Sequence, residues 1–377
     1  MPSNIYINRK QKPFQNLPPP NPEIRAFHRS LPHYSPTPLV SLPQIAKELG
    51  ISHFLLKNES SRLGLPAFKI LGASWATAKA VSKRFNIPIS GKDIDQSLIQ
   101  RLAGAAKAAD LTLYAATDGN HGRAVARMAK YLSIKARIYV PLMVDEETIV
   151  KISSEGAKVE VWQGDYDQTV IATKAAAAKH PDGKGLLISD TALEIEEETP
   201  QWMIDGYQTL FEEIDEQIKH VTDKSITHVL TPLGVGSLCS ATCKHYGRGG
   251  GVEKPGVVTV EPVAAACFKT SLEAGKPVSI ETSYTICTGM CCGTVSVTAW
   301  PIMKDGVSMA IALEDTQVEK ALLDLRKYGV NAGPCGAATT AGARQLPNLS
   351  PESVVVVLCT EGERNYDMED PKQSHKA

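Results

Sequence analysis

Short, nearly continuous apolar runs alternate with helical patterns along most of the chain after residue 51. The runs are rich in valine, isoleucine and leucine, and they lack the polar–apolar alternation of a strand with one solvent-facing side. They are typical of strands buried on both faces of a parallel sheet, and their alternation with helices predicts an open α/β fold. The predicted strands are 53–59, 111–117, 135–141, 158–164, 185–190, 226–233, 257–262 and 353–359.

The segments between these runs carry the spacing and the end signals of helices. A helix is expected near Lys69, where a run of small and apolar residues starts. A long helix is expected over 199–220, with Pro200 in its first turn, where the missing amide hydrogen costs no intrahelical bond. The other predicted helices are 123–132, 145–156, 166–180 and 237–246.

Composition narrows the possible classes of protein. The 377 residues carry a formal net charge of −1 with a pI near 6.8, so no basic field predicts binding to nucleic acid or to an anionic membrane. No apolar stretch is long enough to span a bilayer, and the first residues lack the apolar core of a signal peptide. The 8 cysteines show no disulfide or zinc-site spacing, so a reduced, cytoplasmic protein without a structural metal is expected.

Polar and glycine-rich groups follow four of the predicted strands. These groups are TDGNHGR (117–123), Asp190, GVGS (234–237) and TEG (360–362). Ligands of open α/β sheets bind at the carboxyl ends of the strands, so the four groups together predict one shared site. Each also has a plainer interpretation, since GVGS can be an ordinary tight connection and Asp190 can be the N-cap of a helix.

The GVGS sequence predicts a phosphate-binding loop. Its glycines allow backbone amides to approach an anion, and the helix that follows adds its positive end. No GxGxxG pattern follows an early strand, which makes a nucleotide-binding reductase a weak alternative. The other glycine-rich stretch, 246–251, is not followed by the Lys-Ser/Thr of a P-loop and is expected to be a surface loop.

Lys69 lies at the expected entrance of a helix, where the macrodipole disfavours a cation. Apolar residues flank it, and Gly72 is expected to leave room for a bulky group. Desolvation and the dipole are both expected to lower its pKa, and a neutral amine can form a Schiff base with an aldehyde. The plainer alternative is a surface lysine whose stem lies along an apolar face.

These motifs, in this order, resemble the fold type II pyridoxal-phosphate (PLP) enzymes. The resemblance extends from about Pro38 to Glu363 and includes AFKILG (67–72), GVGS, VEP and TEG. The Asn-His pair after a glycine is shared by the wider group of serine and threonine dehydratases. Asp118 and the segment WMIDGY (202–207) are more particular to the diaminopropionate ammonia-lyases, which is the branch that the chain resembles.

The resemblance implies how the cofactor would be held. Lys69 would bind PLP covalently as a Schiff base, and Asn120 would donate a hydrogen bond to the hydroxyl of its ring. Thr360 would face the pyridine nitrogen, where a neutral hydroxyl suits elimination better than transamination. The residues that would bind the phosphate are Gly234, Val235, Gly236 and Ser237.

The resemblance also implies the reaction. An ammonia-lyase of this kind carries out α,β-elimination of 2,3-diaminopropionate, or of a close β-substituted amino acid, to yield pyruvate and ammonia. Lys69 would be the general base on one face of the substrate and Asp118 on the other, which would admit both enantiomers. Asp190 would lie near the substrate as an acid/base or amine-recognition group.

Two segments depart from the family pattern, MCCGTVSVTAW (290–300) and AGPCGA (332–337), and the acidic residue of the family is lost in both. They leave the substrate open, with a serine/threonine dehydratase, a β-replacement synthase or a non-catalytic PLP-binding protein as alternatives. Cys291 and Cys292 in the first segment have no neighbouring base, so packing is expected for them rather than reactivity.

The family implies two open, twisted, mostly parallel sheets flanked by helices, with the cofactor in the cleft between a large and a small domain. The large domain is expected over 1–76 and 190–377, and the small domain over 77–189. About the first 36 residues include a stretch rich in proline and asparagine, and they are expected to form an extended or disordered arm. The family further implies a homodimer.

Overall fold

Two separate sheets organise the computed structural model of the chain, which describes residues 4–14, 16–91, 94–248 and 254–369. Their strands are β1 (Ile5–Ile7), β2 (Leu39–Ser41), β3 (His53–Asn58), β4 (Thr112–Ala116), β5 (Lys135–Pro141), β6 (Lys158–Trp162), β7 (Gly185–Leu187), β8 (His228–Pro232), β9 (Gly256–Pro262), β10 (Val307–Leu313) and β11 (Val354–Cys359). The larger sheet has the order β1-β10-β9-β8-β11-β3-β2, and the smaller has the order β6-β5-β4-β7.

Parallel pairing dominates both sheets. All strands of the smaller sheet run parallel, as do the central strands of the larger sheet, from β10 to β3. The antiparallel strands β1 and β2 lie at the two edges of the larger sheet. Each strand predicted from the sequence is present with small shifts at its ends, so the α/β fold class is confirmed.

Helices connect the strands and cover the sheets. They are α1 (Pro22–Ser30), α2 (Pro43–Leu49), α3 (Lys69–Phe85), α4 (Gln96–Ala108), α5 (Asn120–Leu132), α6 (Glu146–Ser153), α7 (Tyr166–Ala178), α8 (Glu198–Gly206), α9 (Gln208–Gln217), α10 (Ser237–Tyr246), α11 (Cys267–Ala274), α12 (Trp300–Gly306), α13 (Asp315–Lys327) and α14 (Pro334–Ala343). Within the described ranges, no helix has the length and apolar character needed to cross a membrane.

The secondary structure predicted from the sequence is wrong in two of the described segments. The expected helix over 199–220 is interrupted at Tyr207, whose ψ of −8° opens the helical hydrogen-bond ladder between α8 and α9. The N-terminal segment is not an extended arm throughout, because β1 pairs with β10 and α1 buries Ile24 and Phe27 in the core. Residues 1–3 and 15 of that segment, and 249–251 of the expected glycine-rich loop, lie outside the described residues.

Helices α3 and α8 cross at a pair of glycines just after Lys69. A Cβ on Gly72 would lie 2.6 Å from the sulfur of Met203, and a Cβ on Gly206 would lie 2.7 Å from the carbonyl oxygen of Leu71. The space beside Gly72 is therefore filled by α8, and the expectation that it accommodates a bulky ligand is wrong. The close crossing instead fixes the first turn of α3, and with it the position of Lys69.

A buried cluster of charges supports the segment between β3 and α3. Lys57, Glu59, Arg62 and Glu213 have fully buried side chains. Glu213 on α9 lies 2.8 Å from Lys57 and 2.7 Å from Arg62, and Arg62 lies 2.7 Å from Glu59. The hydroxyl of Thr37 accepts a further hydrogen bond of 2.7 Å from Arg62. Because opposite charges and hydrogen bonds offset the loss of water, the cluster holds β3, the loop and α9 together.

Replacing Glu213 by glutamine is expected to lower the free energy of unfolding by about 3–5 kcal/mol at pH 7, because two buried cations lose a counter-ion. Burial raises the pKa of Glu213, but Arg62 and Lys57 outweigh burial and lower it from 4.5 to about 2. The stabilisation is thus complete above the unfolded-state pKa and is lost as the pH falls toward 2. Urea unfolding at pH 7 and pH 3 should show a smaller difference from wild type at the lower pH.

A matched control is Glu216→Gln, also on α9. The carboxylate of Glu216 is 57% exposed and pairs with Arg25 at the surface, so its loss is expected to cost less than about 1 kcal/mol. Equal losses of unfolding free energy in Glu213→Gln and Glu216→Gln would contradict a larger contribution of the buried cluster to stability.

Candidate active site

A cavity that opens to solvent lies where the carboxyl ends of several strands meet the starts of α3, α5 and α10. Strands of both sheets contribute, because β4, β6 and β7 of the smaller sheet and β3, β8 and β11 of the larger sheet each precede lining residues. The cavity brings together all the site residues proposed from the sequence, while the role of each stays a prediction. These residues are Lys69, Asp118, Asn120, Asp190, Gly234, Val235, Gly236, Ser237 and Thr360.

Lys69 and Asp190 form an ion pair in this cavity. The ammonium nitrogen Nζ of Lys69 lies 2.6 Å from Oδ2 of Asp190, and the hydroxyl of Tyr166 donates a hydrogen bond of 3.0 Å to Oδ1. The pair joins a residue that follows β3 of the larger sheet to one that follows β7 of the smaller sheet. The alternative that Asp190 caps a helix is wrong, because the next helix, α8, begins at Glu198 with Glu197 as its N-cap.

The ion pair reverses the pKa shift that was expected for Lys69. Desolvation lowers the pKa of the ammonium, but the negative charge of Asp190 and the hydrogen bond to it outweigh desolvation and raise the pKa above its ordinary value. The expected depression is therefore wrong for the free lysine, because a carboxylate distant in sequence faces it. The same contact lowers the pKa of Asp190 below its ordinary value, although burial alone would raise it.

Asp118 lies in the same cavity without such a partner. Its carboxylate makes no hydrogen bond or ion pair with the other residues that the structure describes. Burial raises the pKa of Asp118 to about 7, and the nearby charge of Asp190 adds to the shift while Lys69 and Arg364 oppose it. A carboxyl group that titrates near neutrality can both accept and donate a proton, so the two aspartates differ in what they can do.

The loop 234–237 fits an anion. Gly236 has a φ of +102°, in the left-handed region, and a Cβ there would lie 2.5 Å from Cε of Met303, so glycine is required. Helix α10 begins at Ser237, and the amides of 234–237 donate no hydrogen bond to any described part of the chain. Unpaired amides at the positive end of a helix suit a phosphate, and the residues present therefore fit the phosphate of PLP.

Several lining side chains were missed by the sequence reasoning, among them Tyr166, Glu361 and Arg364. Glu361 accepts a hydrogen bond of 2.8 Å from Nδ2 of Asn120 and one of 3.1 Å from a backbone amide at the start of α14. Glu361 belongs to the TEG motif, but the family resemblance implies a role for Thr360 alone. Tyr166 follows the predicted strand 158–164 by two residues and Arg364 follows the TEG motif by two residues, so the same placement after strands could have found both.

The two segments that depart from the family pattern contribute neutral thiols. Cys292 and Cys335 both line the cavity and are buried. Burial raises the pKa of the Cys292 thiol, and a hydrogen bond with Cys287 together with burial raises the pKa of the Cys335 thiol. Both thiols are therefore protonated at neutral pH, which agrees with packing rather than reactivity for Cys292.

Parallel sheets, a lysine and a phosphate-binding loop in one cavity are the features of a PLP enzyme. The family described as "Pyridoxal-phosphate dependent enzyme" matches residues 30–361, and the chain belongs to this family. Pyridoxal phosphate is its cofactor, as expected from the sequence.

Within the family, the chain is similar to diaminopropionate ammonia-lyases over most of its length. It is 33% identical to that of Salmonella typhimurium over 309 residues, which are 80% of this chain and 74% of the relative. It is 30% identical to that of Escherichia coli (strain K12) over 357 residues, which are 90% of this chain and 87% of the relative. The crystal structure of the Escherichia coli enzyme in complex with D-serine matches with a TM-score of 0.84 at 28% identity, covering 99% of this chain and 95% of that one.

Replacing Asp190 by asparagine is expected to speed the formation of the Schiff base between Lys69 of the apoenzyme and added PLP at pH 7. Without the carboxylate, desolvation dominates and lowers the pKa of Lys69, so more of the amine is neutral and nucleophilic. Borohydride trapping at set times, followed by peptide mapping, measures the fraction of Lys69 that carries the pyridoxyl group. The difference in the rate of Schiff-base formation between Asp190→Asn and wild type should become smaller as the pH is raised.

The control is Asp205→Asn, which removes a carboxylate of α8 that does not line the cavity and should leave the rate unchanged. An unchanged rate in Asp190→Asn would contradict the influence assigned to the ion pair. A label on a lysine other than Lys69 would contradict the attachment site.

Proposed function

We propose that the protein is a PLP-dependent ammonia-lyase that converts 2,3-diaminopropionate and water into pyruvate and two molecules of ammonia. The observation that carries this proposal is the pair of aspartates, Asp118 and Asp190, in the cavity that also holds Lys69. A substrate with two amino groups needs carboxylates that can bind a second ammonium group. The similarity to diaminopropionate ammonia-lyases over most of the chain supports the same reaction.

The cofactor supplies an electron sink that makes the α-proton of a bound amino acid acidic. We assign its covalent attachment to Lys69 and the contact with its ring hydroxyl to Asn120, whose amide is oriented by Glu361. The loop 234–237 would hold the phosphate. Thr360 would face the pyridine nitrogen, where a hydroxyl leaves the ring less electron-withdrawing than a carboxylate would, and this suits elimination.

Lys69 is well placed to receive the α-proton once the substrate amine has freed the Lys69 side chain. A protonated Nζ is stabilised by Asp190 at 2.6 Å, and the hydrogen bond from Tyr166 fixes the orientation of that carboxylate. Asp190 therefore favours the ammonium form of Lys69 after proton transfer. Before the transfer, the carboxylate of Asp190 would also keep Nζ of Lys69 protonated. The amine of Lys69 therefore has to be neutral when it is released, because only the neutral amine can accept the α-proton.

Asp118 is assigned to the other face of the substrate. Its ionised form would accept the α-proton of the opposite enantiomer, and it would bind the β-ammonium group of the substrate. An amino group leaves best when it carries an extra proton, because it then departs as neutral ammonia. The unpaired state of Asp118 and its pKa of about 7 support both roles, since neither form is locked by a protein partner.

A serine/threonine dehydratase is the second candidate. It is supported by the two segments around Cys292 and Cys335, where the acidic residues of the ammonia-lyase pattern are replaced by neutral ones. The 27% identity to L-threonine dehydratase of Corynebacterium glutamicum, over 87% of this chain, also fits this reaction.

Further properties are inferred from the family. We infer a large domain over 1–76 and 190–377 and a small domain over 77–189, a division supported by the confinement of β4 to β7 to 112–187. We also infer a homodimer and a cytoplasmic location, the latter because all 8 cysteines are free thiols.

The purified holoenzyme is expected to release pyruvate and ammonia in a ratio of one to two from 2,3-diaminopropionate, with weaker turnover of serine. The measurement couples a pyruvate assay to an ammonia assay on the same sample, with serine, threonine and both enantiomers of diaminopropionate as substrates. A higher kcat/KM for serine or threonine would replace the proposal by the dehydratase function. No turnover of any of these amino acids by PLP-loaded protein would favour a non-catalytic PLP-binding protein.

Replacing Asp118 by asparagine is expected to reduce kcat/KM for D-diaminopropionate by about 10²–10⁴-fold, because the general base for that enantiomer is removed. The L-enantiomer, served by Lys69, should lose less. In the wild-type enzyme, kcat/KM for the D-enantiomer should fall as the pH drops below about 7, because a base acts only when ionised. That acid limb should be absent from the residual activity of the variant.

Measurements on PLP-saturated variant separate this role from a structural one. If Asp118 only orders the loop that carries Asn120, both enantiomers will lose activity alike and PLP will bind more weakly. Equal losses of kcat/KM for the two enantiomers would contradict the assignment of Asp118 as a second base, but not the proposed elimination reaction.

A further inference from the structure

We propose that a cleft between the segment 18–21 and the helices α3, α8, α9 and α10, here called the N-terminal cleft, is a second ligand site that binds an aromatic anion. The cleft shares no described lining residue with the cavity around Lys69. Its cavity volume is about 250 Å³, against about 70 Å³ for the cavity around Lys69. The inference does not depend on which reaction the enzyme catalyses.

The N-terminal cleft is separate from the reacting groups but lies on the same helices. Trp75, which lines the cleft, follows Lys69 by six residues in α3, which is about 9 Å at 1.5 Å per residue. Ala241 lines the cleft from α10, the helix that begins at Ser237 of the phosphate loop. A ligand in the cleft would therefore contact the helices that position Lys69 and the phosphate loop, without touching either.

Aromatic side chains form an apolar wall of the N-terminal cleft. Trp75 on α3 and Phe211 on α9 are buried, and Trp202 on α8 is half-buried. The ring of Trp75 packs against Phe27 at a centroid distance of 5.6 Å, and that of Phe211 stacks on His245 at 5.2 Å. Aromatic rings held in a concave site favour a ligand with a flat, apolar body.

Positive charge in the N-terminal cleft exceeds negative charge. The cations that line it are Lys79, Lys244 and Arg248, whereas Asp205 is the carboxylate among its described lining residues. Nζ of Lys244 lies 3.5 Å from Oδ1 of Asp205. The same oxygen accepts a hydrogen bond of 2.7 Å from Gln201, so Asp205 compensates Lys244 only in part.

The other two cations have donors available to a ligand. Arg248 donates a hydrogen bond of 2.8 Å from Nε to the carbonyl oxygen of Pro18, and its terminal nitrogens pair with no residue that the structure describes. Lys79 forms no ion pair with the described residues, and its Nζ lies 5.8 Å from the ring centroid of Trp75. Burial lowers the pKa of Lys244 and of Arg248, as expected for cations with too little counter-charge.

The wall and the charges together define the class of ligand. An aromatic body would cover the wall, and a carboxylate or phosphate group would compensate the cations, with two parallel hydrogen bonds available from the guanidinium of Arg248. An inorganic anion would leave the aromatic wall exposed, and a neutral aromatic compound would leave the cations without counter-charge.

A solvated surface cleft is the competing explanation. Lysine and arginine stems often lie along apolar side chains while their charged ends remain in water. Such a cleft would bind an aromatic compound without regard to its charge. A site for an aromatic anion predicts instead that the loss of a lining cation weakens only the charged ligand.

The test compares two fluorescent probes on PLP-saturated enzyme, in which the cofactor fills the cavity around Lys69. The probes are 8-anilinonaphthalene-1-sulfonate and N-phenyl-1-naphthylamine, which is the same molecule without its sulfonate. In Arg248→Gln, the dissociation constant of the sulfonate probe should rise about 10–100-fold while that of the neutral probe changes less than threefold, because only the former loses a charge-assisted hydrogen bond. Trp202→Leu should weaken both probes alike, because it removes part of the aromatic wall.

Two small competitors identify the anionic group. Phenylacetate and phenyl phosphate should each displace the sulfonate probe and raise the Tm of wild type, since a ligand that binds only the folded state stabilises it. The compound that acts at the lower concentration shows whether a carboxylate or a phosphate is preferred. Failure of both to displace the probe would overturn the inference.

Arg84→Gln is the matched control. Like Arg248, Arg84 donates a hydrogen bond to a carbonyl oxygen, that of Gly183 at 2.9 Å, but it does not line the N-terminal cleft, so both probes should bind as to wild type. Equal weakening of both probes in Arg248→Gln, or unchanged binding of the sulfonate probe, would contradict the proposed site. A change of molecular mass in light scattering would do so too, because the cleft would then be an interface between copies of the chain. If Arg248→Gln does not fold, Lys79→Gln decides by the same ratio.

Discussion

The contact on which the site depends is the ion pair between Lys69 and Asp190. Each member follows a strand of a different sheet, so the 2.6 Å contact can form only when both sheets are correctly placed. Burial of either charge alone would cost several kcal/mol, on the order estimated for unpaired ions in protein interiors. The two charges therefore keep each other ionised in a cavity that would otherwise favour their neutral forms. The close glycine crossing of α3 and α8 and the buried charges around Arg62 hold the lysine side of this contact in place.

The ion pair also explains why Asp118 behaves differently from Asp190. One cation near two carboxylates can neutralise one of them, and Asp190 is the one at hydrogen-bond distance. Burial and the negative charge of Asp190 raise the pKa of Asp118, and the cations Lys69 and Arg364 offset only part of this shift. The pKa of Asp118 is therefore about 7. With Lys69 taken up by the proposed attachment of the cofactor, the carboxylates of Asp118, Asp190 and Glu361 would leave the cavity with an excess of negative charge. A ligand with an ammonium group restores the balance, which makes the charge of the cavity itself a selection for diamino substrates.

The sequence predicts the part of the fold that repeats a strong local pattern, and it fails where position depends on distant contacts. The run 353–359 identifies a buried strand because every side chain after Ser353 in it is apolar. The edge strands β1 and β2 are three residues long and give no pattern, and β10 begins directly after the last residue of α12 with no turn between them. The site residues share a place after strands, which the sequence shows. The charge state of Lys69 depends on which elements meet in space, and no local signal reports that.

The neutral thiols of Cys292 and Cys335 have a physical consequence in this setting. An acidic side chain in place of Cys292 would add negative charge beside Asp118 and Asp190, and would raise the pKa of Asp118 further. It would also compete for the substrate ammonium group with Asp118, to which binding of that group is assigned in the proposal. Thiols are weakly polar and protonated here, so they exclude water without adding charge. The departure of these segments from the ammonia-lyase pattern thus adds no further negative charge beside Asp118, and its pKa stays within the range where proton exchange at neutral pH is efficient, as the role proposed for it requires.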